Sequence, residues 1–161
     1  MNSIKYFESP LGMFEFTKEV FFRYYEYASE ADFILLIFLL YHLREQIVEG
    51  RKIEEIVNIA PSERTEGQVL FLKLWQMSEF QIIREICNGI KHHKIDKEVL
   101  ETEGFICGLS RCGDRLDQRY FLIDGADSRD IFLDVFNQYR IFFDGEAVNQ
   151  GMQGDTAESR G

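Results

Sequence analysis

Cysteine, proline and histidine are scarce in this 161-residue chain, with three, two and three copies, and each shortage narrows the reading. Cys87, Cys107 and Cys112 make an odd set without a paired Cys-x-x-Cys knuckle, so neither a disulfide framework nor a zinc site is expected. No basic-plus-apolar leader follows Met1, and the expected compartment is the reducing cytoplasm. The most apolar run, residues 33–41, is about half the ~20 residues that a membrane-crossing helix needs, so no membrane association is expected. Cations are also in the minority, 18 Lys and Arg against 28 Asp and Glu, which gives a formal net charge of −10. A field of that sign opposes a polyanion, which disfavours RNA except at a local basic patch. No Gly-x-Ser-x-Gly elbow or Gly-rich phosphate loop is present, and no cofactor is expected.

Aromatics are abundant. Fifteen Phe and seven Tyr supply large buried areas per side chain, so they are expected to fill the core. With Pro only at positions 10 and 61, apolar periodicity reads with little interruption. It predicts helices over residues 11–28, 33–48, 66–77 and 79–94, with a short amphipathic piece over 51–60. Ser29 offers a cap to the second, which is apolar almost all round and therefore central. Thr65 with Gln68, and Ser78 with Gln81, match the capping box that opens a helix.

The period changes near Gly104. Residues 104–109 and 119–123 are short β-prone runs that predict an antiparallel hairpin within about 104–124, turned at its end by Asp124-Gly125. Asp127 then caps a last helix whose stripe runs through Ile131, Phe132, Val135, Phe136, Tyr139 and Phe143. Residues 145–161 are nearly free of apolar side chains and predict a disordered acidic tail. The expectation is a mainly α fold: one helical domain over residues 1–144, a bundle with a small antiparallel hairpin and a C-terminal packing helix.

Polar chemistry gathers on the helix over 79–94. At about 100° per residue, Ile83, Ile86, Cys87 and Ile90 share one side, while Arg84, Asn88, Lys91 and His92 fall within roughly 180 to 280° of Ile82. Arg84, Asn88 and His92 are spaced i, i+4, i+8 and stack on successive turns, with Lys91 and Lys94 adding positive charge. His93 falls on the apolar side and is expected at the edge of the core. His42 and Glu45, three apart, are expected as a satisfied polar pair at a bundle seam, and the three thiols as buried.

A late bundle helix bearing Arg84, Asn88 and then Lys91-His92 resembles the HEPN superfamily of helical domains, over the helical part up to about residue 94. The resemblance implies either a non-catalytic interaction module or a metal-independent endoribonuclease with its site doubled across a homodimer. In the second, His92 would move a proton, Arg84 would offset phosphate charge and Asn88 would orient the ring or substrate. Seven residues separate Arg84 from His92 and Glu85 follows the arginine, whereas ribonucleolytic HEPN helices carry an Arg, four to six residues, then a His. The reading taken is the interaction module, acting through a homo-oligomer or a protein partner; the family analogy adds microbial defence or toxin-antitoxin systems as a setting.

Overall fold

A computed structural model describes Tyr6 and residues 8–154, with side chains as far as Gly145. The chain is mainly helical, with a small three-stranded antiparallel sheet ahead of the C-terminal helix. Helix α1 (Pro10–Glu26) begins on the Ser9 side chain, which accepts from the Gly12 N–H, with Pro10 at the first position, where no N–H is needed. Helix α2 (Glu30–Ile47) is capped by Ser29, as the sequence predicts, and packs against α1 and against α4 (Glu66–Gln76), α5 (Ser78–His92) and α6 (Ser128–Gly154). Its central place follows from its lack of a polar face. A short α3 (Ile53–Val57) and a 3-10 turn (Pro61–Glu63) lead into α4, whose Thr65–Gln68 capping box forms with both bonds made.

The core is aromatic. Phe14, Phe21, Phe136 and Phe143 stack where α1 meets α6, the Phe21 and Phe136 rings lying 4.2 Å apart and nearly parallel. Tyr24, Phe33, Phe121 and Phe132 join α1, α2, the sheet and α6. Buried phenols find partners: the Tyr139 hydroxyl donates to the Leu40 carbonyl at 2.8 Å, and the Tyr24 hydroxyl lies 2.7 Å from that of Ser128.

The sheet differs from the expected hairpin. Strand β1 (Val99–Glu103) precedes the apolar run and pairs with β2 (Arg119–Ile123), Val99 opposite Ile123 and Glu103 opposite Arg119. Residues 104–109 belong to a 15-residue connection instead. Gly104 and Gly108 adopt φ of 96° and 83°, outside the strand region, and Phe105 is 70% exposed. The turn after β2 is as expected: Asp124 and Gly125 both have positive φ, the two-residue loop that matches strand twist, and the short β3 (Ala126–Asp127) returns along β2. The sheet order β1-β2-β3 leaves the outer edge of β1 open.

Two helix ends also differ. Ser78 is the first residue of α5 rather than its cap; Met77 holds the cap position without a side-chain bond, and Gln81 turns away to donate to the Trp75 carbonyl at 2.6 Å. At the C-terminus, α6 continues to Gly154, through the first ten residues of the expected tail, whereas residues 155–161 lie outside the described residues. A helix already nucleated on a packed face adds each further residue at little free-energy cost, which apolar content alone does not register.

Candidate functional site

The three residues singled out on α5 meet in space. Arg84, Asn88 and His92 line one open cleft of about 330 Å³ together with Lys94, Glu85 and Lys97; Lys91, also predicted, is exposed but does not line it. The helix stops at His92 because His93 takes the left-handed conformation (φ 56°) and the Lys94 N–H donates back to the Gly89 carbonyl at 2.8 Å. Gly89 permits that fold-back, since a Cβ there would stand 2.7 Å from the Lys94 carbonyl oxygen. His93 is therefore exposed at the helix end, not at the core edge: the wheel that placed it inside assumed helix as far as Lys94, two residues beyond where α5 stops.

The cleft's cations are largely spoken for. Lys97 lies 3.1 Å from Asp124 and 3.4 Å from Glu85, and these carboxylates, Asp124 foremost, raise its pKa. Lys94 lies 3.9 Å from Asp96, and Arg84 donates to Gln81 at 3.0 Å while stacking 4.7 Å above the Trp75 ring. Among the described residues, neither the Asn88 amide nor the His92 ring has a hydrogen-bond partner. An acid-base histidine is normally oriented by a second group, and His92 has none.

A second constellation joins residues that sequence spacing kept apart. His42 Nδ1 lies 2.8 Å from Glu45 Oε2, as the pair predicts, and the other ring nitrogen lies 3.9 Å from Cys87 Sγ. Thiol, imidazole and carboxylate in that order have the connectivity of a nucleophile, its base and an orienting acid. The environment opposes it. Cys87 is 2% exposed, and burial, aided by the Glu45 charge, pushes its pKa up to about 11, so the thiol stays protonated and out of reach. Cys107 and Cys112 are exposed rather than buried, because the connection holding them is not a strand. A thiol reagent added to the folded protein is expected to label Cys107 and Cys112 at once and Cys87 only after unfolding, read by mass spectrometry; rapid labelling of Cys87 in the native state would restore the nucleophile.

The largest polar assembly went unseen in the sequence. Arg129, only 2% exposed, donates to Asp127 (2.8 and 2.9 Å) and to Asp114 (2.8 and 3.2 Å), with its guanidinium 5.0 Å from the Tyr120 ring. Arg111 reaches the Tyr25 hydroxyl at 2.7 Å and Asp130 at 2.8 Å. This network ties the 104–118 connection to the first turn of α6. It is a satisfied structural core with no open coordination position. The available signal was the Asp127-Ser128-Arg129-Asp130 run, too charged to open a helix on an apolar core unless its charges pair elsewhere.

A third feature is apolar. Phe33 and Ile34 of α2, Ile86 and Ile90 of α5, Ile95, Val99 of β1 and Phe121 of β2 enclose a groove of about 300 Å³ against one face of the sheet. Ile34 and Ile95 are 37% and 46% exposed; Glu30 and Glu101 stand among the lining residues, Glu101 paired with Arg119 from β2.

No protein-family model, curated protein or solved structure matches the chain. Among the described residues, no helix is long and apolar enough to cross a membrane, and no group of three or more His, Cys, Asp or Glu side chains is placed to hold a metal ion.

Proposed function

We propose that the chain is a non-catalytic protein-interaction module, HEPN-like in its helices, that receives an extended segment of a partner in the α2–α5–β1 groove. The observation that carries this reading is an exposed apolar groove on the face of a sheet whose β1 edge is unpaired among the described residues. An edge strand offers backbone donors and acceptors to an added strand, and a flanking apolar groove takes its alternate side chains. Charge selects the occupant. Glu98 precedes β1, Glu103 ends it and Glu30 lines the groove, while Glu101 is paired with Arg119; the three remaining carboxylates make a segment alternating apolar with basic residues complementary, whereas a second copy would bring the same carboxylates and the same −10 charge.

A labelled peptide alternating Lys with Ile and Val is the test probe, read by fluorescence anisotropy. It is expected to bind, to lose affinity at least about tenfold in Ile34→Asp and in Ile95→Asp, and to fail when Lys is replaced by Glu. Both substitutions add negative charge, so weakening of a basic peptide can only come from lost apolar contact. Binding unchanged in both variants would reduce the effect to non-specific charge attraction and remove the reading. Light scattering that shows a dimer dispersed by the same substitutions would assign the groove to a second copy instead.

The Arg84, Asn88 and His92 cleft favours one other reading, a metal-independent endoribonuclease. Against it stand the paired cations and the unoriented imidazole. RNA incubated with the protein and a chelator is expected to stay intact; cleavage that vanishes in His92→Ala would replace the interaction module with the nuclease.

A further inference from the structure

The last turn of α2 buries a cation among rings. Arg44 is 7% exposed, and its guanidinium carbon lies 4.4 Å from the Tyr41 ring, 4.8 Å from Phe71, 5.5 Å from Trp75 and 5.7 Å from Phe80. Ring faces attract a cation but accept no strong hydrogen bonds, and among the described residues the buried Nε of Arg44 has no partner. Among the described residues the only carboxylate on it is Glu45, at 3.3 Å, which is already engaged by His42 at 2.8 Å. A desolvated guanidinium with one shared carboxylate retains uncompensated positive potential.

That potential opens onto a cleft of about 410 Å³, between the α2–α3 turn and α4, within the range of small-ligand sites. Arg44 and Trp75 line it on one side, with Arg51 and Lys52 at its rim. Both rim side chains are exposed, and neither pairs with a carboxylate among the described residues, although the chain has ten more acids than bases. Counting Glu45 and Glu54, the cleft holds three cations against two carboxylates, a local reversal of the overall sign. Trp75 is half-buried, with Arg84 4.7 Å above its ring and Phe71 stacked against it at 5.8 Å, and the part of the indole that these leave uncovered lines the cleft beside the cations.

We infer that this cleft binds a small aromatic phosphate, of the chemistry of a nucleoside monophosphate, with the ring against the part of Trp75 that Arg84 and Phe71 leave uncovered and the phosphate between Arg51, Lys52 and the Arg44 guanidinium. A ring alone would leave the rim cations unmatched, and a bare anion would leave the indole wet; one molecule carrying both satisfies the cleft. The site shares no residue with the α2–α5–β1 groove, so it stands or falls independently of the interaction module.

Trp75 is the only tryptophan of the chain, so its fluorescence reports this cleft directly. Titration with adenosine monophosphate and with phenyl phosphate is expected to give a saturable change below about 1 mM, with adenosine and inorganic phosphate at least about tenfold weaker. Arg51→Ala and Lys52→Ala, both at exposed positions, are expected to weaken binding about tenfold each, whereas Lys73→Ala on the exposed part of α4 leaves it unchanged. No spectral change up to about 1 mM, or a change equal in the wild type and both rim variants, overturns the inference.

Discussion

Asp127→Ala is expected to lower the unfolding free energy by about 3–5 kcal/mol, with about 1 kcal/mol more from the lost helix cap. Asp127 performs two jobs with one carboxylate. Its Oδ1 accepts from the Arg129 N–H at 2.9 Å, which satisfies a free donor at the start of α6, and its Oδ2 accepts from the Arg129 guanidinium at 2.8 and 2.9 Å. Both side chains are nearly sealed from water. Alanine would leave a buried guanidinium held by Asp114 alone, and an underpaired charge in that position costs far more than the net worth of an intact pair. Set against the ~5–15 kcal/mol total stability of a typical domain, this loss moves a urea midpoint by a large fraction of its value. Adding Arg129→Met to the alanine variant removes the stranded charge and is expected to recover part of the loss, because Asp114 sits nearer the surface and can take up a proton. A loss below about 1 kcal/mol in Asp127→Ala would mean that the network is screened as a surface pair would be.

What the sequence made legible follows from how local each signal is. Ser29, the Thr65–Gln68 box and Asp124-Gly125 act within a few residues of themselves, and all three form as predicted. The stripe Ile131 to Phe143 is equally local, since one buried face repeats every turn. The failures are contacts made at a distance. Ser78–Gln81 has the local pattern of a cap, but the Trp75 carbonyl, left over from α4, competes for Gln81 and wins. The run 104–109 has strand-like composition, but nothing in composition reveals that no apolar layer covers Phe105. Cys87 beside His42 joins residues 45 positions apart, and Arg129 with Asp114 joins residues 15 apart across a connection without regular spacing; neither juxtaposition has a period to detect. The Arg84, Asn88 and His92 cleft was legible because helical spacing alone brings those side chains together, whereas the Arg44 cage draws rings from α2, α4 and α5 and emerges only in three dimensions.

Acidification is expected to remove about 2 kcal/mol of stability through Asp114 alone. The Arg129 guanidinium, with help from the Arg111 N–H and the Tyr120 hydroxyl, holds this carboxyl at about 2, against an ordinary 3.8. Because the folded value is the lower one, the unfolded chain binds the proton first as pH falls. The contribution is therefore fully present above about pH 4 and disappears as pH drops from about 4 toward 2. Asp32, lowered by Arg23 at 2.5 Å and by the Ser29 hydroxyl, adds a loss of the same sign. The Asp114 share is isolated by Asp114→Asn, which keeps the shape and cannot ionise. At pH 6 this variant is expected to be about 2 kcal/mol less stable than the wild type in urea, and at pH 2 the gap should shrink to about 0.4 kcal/mol, since Asp114 is then about half protonated and its protonated form offers Arg129 no more than the amide does. A gap that stays constant from pH 6 to pH 2 would show that the carboxylate charge contributes nothing and that Asp114 acts only through its neutral hydrogen bonds.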